Sequence, residues 1–256
     1  MSDPSSASAA SQAITKVAIL GKGGSGKTVL ASLLVRAIAE RGWLVLAVDL
    51  DANPGLALSL GVVPHDLALP DSAIEARPDV PYGWGLARHV TAAEAVRRYA
   101  FRAGDKVAFL GFGNMSGVDT PLHRYLTAAR QIAVGFEEPG WVVVVDLAAG
   151  PTNAFEGYAR LATLALLTVK PTPTSILTGR RLSQILARDD TPFGVVAMGV
   201  SSPQDVDQVA QWMEPMAVIP FDAEVARLSR SGPLTSLSTE SSALNAVRGL
   251  VTRLGL

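Results

Sequence analysis

Gly21-Lys22-Gly23-Gly24-Ser25-Gly26-Lys27-Thr28 decides the fold of this chain. Gly21, Gly26, Lys27 and Thr28 fill the fixed positions of the pattern G-x-x-x-x-G-K-[ST]. In that pattern the glycines let the backbone curl until its N–H groups face phosphate oxygens. The lysine reaches the β and γ phosphates, and the hydroxyl is placed to ligate Mg²⁺. Lys22 is a second lysine that the ordinary loop lacks.

The flanks decide whether such a loop is more than a flexible Gly-Lys turn. Residues 16–20, Lys-Val-Ala-Ile-Leu, predict a short buried strand running straight into the loop. Residues 27–41 predict the helix that follows, with Leu30, Leu33, Leu34, Ala37 and Ile38 on one face. Strand, glycine loop and helix is the context in which the motif binds phosphate.

Outward from the loop, apolar runs at 16–20, 44–49, 107–110, 141–146, 163–169, 193–198 and 216–219 alternate with helical patterns. The helical patterns fall near 27–41, 91–102, 121–134, 153–161, 174–187, 203–213, 222–230 and 239–254. The alternation predicts an α/β fold, a single doubly wound, mostly parallel sheet with helices on both faces. No internal repeat and no long linker divides it, so residues 14–256 are expected to form one domain behind a Ser/Ala-rich, disordered tail at 1–13. The stretch 62–90, with Pro64, Pro70, Pro78, Pro81, Tyr82 and Trp84, reads as an irregular surface excursion. It is either a partner-binding region or a tolerated insertion that its aromatic residues pack down.

Composition narrows the function. At 256 residues with 48% hydrophobic and 18% charged residues the chain can bury a large core, and its net charge of −1 gives no global basic field to recruit nucleic acid. No apolar run reaches the ~18 residues of a membrane span, so a cytoplasmic protein is expected. With no cysteine in the sequence, thiolate-ligated clusters and Cys-based nickel or zinc sites are excluded for this chain. His65, His89 and His123 lie in three unrelated segments.

Carboxylates arrive where the phosphates would lie. The second strand ends in Val48-Asp49-Leu50-Asp51, and parallel sheets deliver the carboxyl ends of their strands to the ligand crevice. If the strand continues, Asp49 and Asp51 point the same way, one to support Mg²⁺ and one to address an attacking water. Capping the next helix is the weaker use of these acids, because Asn53-Pro54-Gly55 already makes that turn. Trp141-Val142-Val143-Val144-Val145-Asp146 is an apolar strand ending in a second carboxylate, and Leu147-Ala148-Ala149-Gly150 keeps small residues next to it.

The loop with its early lysine, Asp-x-Asp at 49–51 and Asp-x-x-Ala-Gly at 146–150 together resemble the deviant-Walker (SIMIBI) ATPases of the MinD/ParA class, over roughly residues 15–255. The resemblance implies ATP and Mg²⁺ as cofactors and a homodimer with nucleotide at its interface, where Lys22 crosses to the partner's bound nucleotide. It implies nucleotide contacts from Gly21, Lys22, Gly23, Gly24, Ser25, Gly26, Lys27, Thr28 and Val29, and from Pro220 and Asp222. Lys22, Lys27 and Asp51 take catalytic roles, and Thr28, Asp49, Asp51 and Asp146 the metal. Within the class, Val48-Asp49-Leu50-Asp51-Ala52-Asn53-Pro54, Gly104-Asp105-Lys106-Val107, Lys170-Pro171-Thr172 and Ile219-Pro220-Phe221-Asp222 resemble the nickel-insertion ATPases of carbon monoxide dehydrogenase, the CooC-like group.

Two departures carry information. Where that group has Gly-Cys-x-Cys-Pro, this chain has Gly117-Val118-Asp119-Thr120-Pro121, so no metal cargo is held through cysteine. Where the class reads adenine with an Asn, this chain has Met198, and no Asn-Lys-x-Asp is present to read guanine. The expected function is an ATP-dependent dimerisation switch, hydrolysing ATP to ADP and phosphate as an accessory or maturation ATPase on an unidentified client. The alternative is a positioning or partition ATPase that binds membrane or DNA.

Two sets of residues could serve that alternative. Arg97, Arg98, Arg102, Arg180, Arg181, Arg227, Arg230, Arg248 and Arg253 could contact DNA phosphates, although solvated helix faces explain them better. Val247, Leu250, Val251 and Leu254 could form a membrane-lying helix and a peripheral membrane association, although packing on the sheet gives the same pattern more often.

Overall fold

The strand that enters the glycine loop is held between two parallel neighbours. In the computed structural model, which describes residues 15–51, 55–63, 69–111, 122–150 and 158–256, β1 (Lys16–Gly21) pairs with β7 (Trp141–Leu147) on one side and β8 (Leu164–Val169) on the other. β2 (Leu44–Leu50) and β6 (Val107–Leu110) continue the sheet beyond β7, and β9 (Phe193–Val200) and β10 (Pro215–Pro220) continue it beyond β8. All seven are parallel. β5 (Phe101–Gly104) closes the far edge antiparallel to β6, giving the order β10-β9-β8-β1-β7-β2-β6-β5.

Side chains alternate along β1, so each face of the sheet needs its own cover. Val17 and Ile19 pack with α1 (Lys27–Glu40) and α8 (Ser242–Arg253), where Leu30, Leu33, Leu34, Ala37 and Ile38 are fully buried. Ala18 and Leu20 face the opposite layer of α3 (Ala92–Tyr99), α4 (Leu122–Gly135) and α5 (Pro173–Arg188). α6 (Pro203–Ala210) covers the β9–β10 edge, and α7 (Ala223–Ser231) joins the α1 layer. The doubly wound α/β sheet expected from the sequence is therefore present. Each fully buried leucine of α1 contributes roughly 1.5–3 kcal/mol.

The helix starts follow capping chemistry. α3 opens on a reciprocal box in which Thr91 accepts from Glu94 N and Glu94 accepts from Thr91 N, and α6 opens on the same device with Ser202 and Asp205. α1 differs, since Gly26 caps it with a φ of 99°, without a side-chain cap and without an acidic residue in the first turn.

Three expectations are corrected. The helix expected over 91–102 ends at Tyr99, because the chain turns extended at Ala100 and Phe101 pairs with Phe109 across the β5–β6 hairpin. The excursion at 62–90 is not irregular throughout. Residues 74–86 contain a hairpin of β3 (Ile74–Ala76) and β4 (Trp84–Leu86), bolted to α4 by Leu86 N donating to Gln131 Oε1 at 2.6 Å and by the Arg124 guanidinium 5.1 Å from the Trp84 ring. A short helix, α2 (Gly55–Ser59), follows β2 outside the helical patterns read from the sequence, and Asp49 Oδ2 accepts from Leu56 N in its first turn. The tail at 1–13, the segment 117–121 with Val118 and Thr120, Ala52 to Pro54 and most of the helix expected over 153–161 lie outside the described residues.

The apolar stripe near the C-terminus faces inward. Ala243, Leu244, Val247, Leu250 and Val251 are buried against α1 and β10, so the stripe that could have served a membrane surface is part of the core. Among the described residues no helix is long and apolar enough to cross a membrane. Four of the nine arginines have an acidic partner nearby, Arg98 with Glu94, Arg102 with Asp105, Arg227 with Glu224 and Arg248 with Glu40, while Arg180 stacks 4.5 Å from the Trp212 ring centre. Truncating Leu244 to Ala is expected to lower the unfolding free energy by about 2–5 kcal/mol in a denaturant titration, without changing retention on anionic vesicles.

Candidate functional site

β1 lies where the chain's connections reverse direction, so the loop after it opens into the crevice at the carboxyl ends of the strands. The loop is clamped from both neighbouring strands. On the β8 side, Thr168 Oγ1 donates to Leu20 O at 3.0 Å and lies 2.6 Å from Ser25 Oγ. Because the Thr168 hydroxyl has one proton and spends it on Leu20, Ser25 is the donor of the second bond. The Ser25 hydroxyl therefore serves the loop's own structure. On the β7 side, Gly150 N donates to Gly21 O at 3.1 Å.

The clamp explains why Gly21 is glycine. A Cβ there would sit 2.2 Å from Thr168 Oγ1 and 2.7 Å from Thr168 O. Gly26, in the left-handed region, then turns the chain into α1 with its first N–H groups uncapped. A helix N-terminus with no acid in its first turn carries a partial positive charge that suits phosphate.

The two lysines of the loop differ in placement. Lys27 is buried at 7% exposure, while Lys22, Gly23 and Gly24 form the exposed outer rim. Thr28, the next residue, donates its hydroxyl to Asp146 Oδ2 at 2.6 Å.

Asp49 and Asp146 are direct partners in the β2–β7 register, each 1% exposed. Burial pushes Asp146 up to about 6, against the Thr28 hydrogen bond and the Lys27 charge, which pull it down. Asp49 is raised well above the carboxylate range by burial and by the Asp146 charge. The oxygens of Asp49 are occupied, Oδ1 accepting from Asp51 N at 3.0 Å and Oδ2 from Leu56 N at 3.1 Å. Asp49 thus fixes the chain leaving β2, including the half-buried Asp51. Asp146 Oδ1, in contrast, is buried with no hydrogen-bond partner.

These residues fit a magnesium ion. An orphaned, buried carboxylate oxygen next to a hydroxyl is the hard-oxygen pair that such an ion takes, and a positive charge there would relieve the burial of Asp146.

A cleft of about 380 Å³ runs from the loop to the ends of β9 and β10. It brings Gly24, Ser25, Gly26, Lys27, Thr28 and Val29 together with Pro220 and Asp222. Asp222 is heavily engaged: its Oδ1 accepts from Glu224 N and Val225 N, and its Oδ2 from the Ser241 hydroxyl at 2.7 Å. It caps α7 and ties the start of α8 to it, which makes it a wall of the cleft. Met198 is 4% exposed and packs beneath the loop, its Cε 3.1 Å from where a Cβ on Gly26 would lie. Sequence reasoning missed Thr168, whose signal is a single hydroxyl in an otherwise apolar strand; Phe221, within the 219–222 turn that the resemblance singled out, lines the cleft at 58% exposure.

Comparison with known proteins places this geometry. Residues 16–234 match the family described as CobQ/CobB/MinD/ParA nucleotide binding domain. The chain is 28% identical over 244 residues to the carbon monoxide dehydrogenase accessory protein CooC of Rhodospirillum rubrum, spanning 85% of this chain and 88% of that protein. It is 27% identical over 248 residues to an ATP-binding protein of Methanocaldococcus jannaschii, spanning 88% and 93% respectively. Among solved structures, the septum site-determining protein MinD of Pyrococcus horikoshii, complexed with Mg-ADP, shares the fold with a TM-score of 0.71 at 20% identity, covering 94% of this chain and 95% of that one.

Replacing Lys27 with Ala removes the buried cation of the loop and is expected to weaken ATP binding at least about hundredfold. Equilibrium titration reads this directly, and unchanged affinity would move the phosphate site elsewhere.

Proposed function

The chain belongs to the CobQ/CobB/MinD/ParA nucleotide-binding family, and from that premise we propose that it is a Mg²⁺-dependent ATPase working as an ATP-driven dimerisation switch on a client protein or complex. The observation that carries this reading is the contrast between the loop's two lysines, Lys27 buried beside Thr28 and Asp146 and Lys22 exposed on the rim. A buried lysine serves the phosphates bound by its own subunit. An exposed one, on a loop clamped at Gly21 and Ser25, is available to a second copy.

In this reading the open N-terminus of α1 and Lys27 hold the β and γ phosphates, and apposition of two loops brings each Lys22 to the partner's nucleotide. Thr28 and Asp146 would hold Mg²⁺, which when bound draws charge from the phosphate oxygens. Asp49 fixes the backbone of Asp51. Asp51 orients the water whose oxygen bonds to the γ phosphorus as the β–γ bridge breaks, giving ADP and phosphate. Hydrolysis removes the group that both lysines neutralise, and the clamp opens.

The client reading draws on the likeness to CooC, an accessory protein by name. A chain with no cysteine brings no thiolate to hold metal cargo, so its work on a client is conformational. The positioning alternative loses support from the inward face of α8 and from the local partners of the arginines.

Asp51→Ala is expected to keep ATP binding while cutting turnover about hundredfold or more, accumulating an ATP-bound dimer visible by light scattering. Lys22→Ala should leave the affinity of the monomer for ATP within about threefold and abolish the dependence of turnover on protein concentration. Turnover and dimerisation both unchanged in Lys22→Ala would overturn the trans role of this lysine.

A further inference from the structure

Two hydroxyls meet inside the protein directly behind the glycine loop. Thr168 is the single polar residue of β8, whose other positions are Leu, Ala or Val, and both it and Ser25 are buried. Their oxygens lie 2.6 Å apart in the space that a side chain on Gly21 would take, since a Cβ there would sit 2.2 Å from Thr168 Oγ1 and 2.6 Å from Ser25 Oγ. Gly21, Ser25 and Thr168 therefore form one unit. The glycine leaves the room, and the hydroxyl pair fills it.

The proton count makes this pair an anchor. Thr168 gives its proton to Leu20 O at 3.0 Å and Ser25 gives its own to Thr168, so neither hydroxyl keeps a proton for a phosphate oxygen. Ser25 is held a second time by its main chain, whose N–H donates to Lys22 O at 3.0 Å and closes the turn over residues 22–25. The residue just before Gly26 and the start of α1 is thus pinned to β8 by its side chain and to the start of the loop by its backbone. Glycines have the most backbone freedom to lose, and Gly23, Gly24 and Gly26 surround Ser25. Between Lys22 and Lys27, Ser25 is the one residue with a side chain that can fix the loop.

Removing the Thr168 hydroxyl would leave a buried Ser25 proton without its acceptor, a state that proteins avoid. The loop then relaxes by turning Ser25 towards water or another carbonyl, and the neighbouring N–H groups turn with it. An arriving anion has to gather those donors again, and that cost falls on binding. Once phosphate is bound, its own contacts hold the donors in place.

We propose that Thr168 is a positioning residue of the loop: its hydroxyl, acting through Ser25, sets the loop in its phosphate-ready shape before any ligand arrives, and so governs affinity for the triphosphate rather than turnover of the bound nucleotide. The inference rests on the reading of the loop as the triphosphate site.

The test titrates the full chain with ATP and Mg²⁺, and separately with inorganic tripolyphosphate, and follows ATP turnover at saturation. It repeats the series on Thr168→Val, Thr168→Ser, Ser25→Ala and the double variant Thr168→Val/Ser25→Ala. Thr168→Val keeps the shape of the side chain and loses the hydroxyl, so ATP and tripolyphosphate are expected to weaken by the same factor, about tenfold. Turnover at saturating ATP should stay within about twofold. Thr168→Ser, which keeps the hydroxyl, should return both affinities to within about threefold of the unsubstituted chain. Ser25→Ala loses the same bond from the loop side, and the double variant should be no weaker than Thr168→Val because the two share that bond.

A role confined to holding the sheet together would lower the melting temperature of Thr168→Val and leave the affinities of the folded chain unchanged. That result, no recovery in Thr168→Ser, additive losses in the double variant, or lost turnover at unchanged affinity overturns the proposal. If Thr168→Val does not fold, Ser25→Ala decides, and unchanged affinity there overturns it equally. In each of these cases the triphosphate site stands where Lys27→Ala still weakens ATP and tripolyphosphate. Binding of neither ligand by the unsubstituted chain overturns that site and the role of Thr168 with it.

Discussion

Everything at this site depends on how closely β1 lies against β8 as it leaves the sheet. The chain must pass from a strand enclosed on both sides to a helix start within five residues, 22–26, and it does so with Thr168 so near Gly21 that a Cβ would fall 2.2 Å from its hydroxyl. That contact sets the conformation of the loop. The Thr168 hydroxyl bonds both Leu20 O and Ser25, and Gly150 N holds Gly21 O from the β7 side. The direction of the α1 N–H groups therefore follows from sheet packing. Such preorganisation removes the cost of arranging donors when an anion arrives.

The same sheet geometry explains the unfavourable charges. β2 and β7 run in register, so Asp49 and Asp146 must lie side by side inside the protein. Two buried acids without a salt bridge are a cost to folding, tolerated where each is put to use. Asp49 uses two backbone N–H groups and becomes the anchor for the chain leaving β2. Asp146 uses the Thr28 hydroxyl and keeps one oxygen unpaired. A carboxylate pair that looks symmetrical in sequence is divided by hydrogen bonding into an anchor and an acid with one unpaired oxygen.

The seven parallel strands and the doubly wound architecture were legible because each strand is a compact apolar run flanked by turn residues, and each long helix carries a 3.6-residue stripe. The unread parts are those whose signal is short or ambiguous. β3 and β4 are three residues each, too brief to show a period, and their stability comes from α4, through Gln131 and Arg124. Phe101-Arg102-Ala103-Gly104 continues a helical composition, and only its pairing with β6 makes it a strand. Asp222 shows a third kind of ambiguity. An acid just before an amphipathic segment is the signature of a helix cap, and the same position borders the cleft; in the fold its oxygens are spent on α7 and α8.

The two ends of the cleft are therefore specified by different physics and tolerate change differently. The phosphate end is built from backbone, so side chains at the rim, Lys22 included, can vary without moving the N–H groups, whereas Gly21 has no room for an added methyl group. The end towards β9 and β10 is walled by apolar side chains whose requirement is shape, Met198 filling the space under Gly26. The backbone-built end thus rests on a few glycines and one buried lysine, and the rest of the cleft on the shape of its apolar walls.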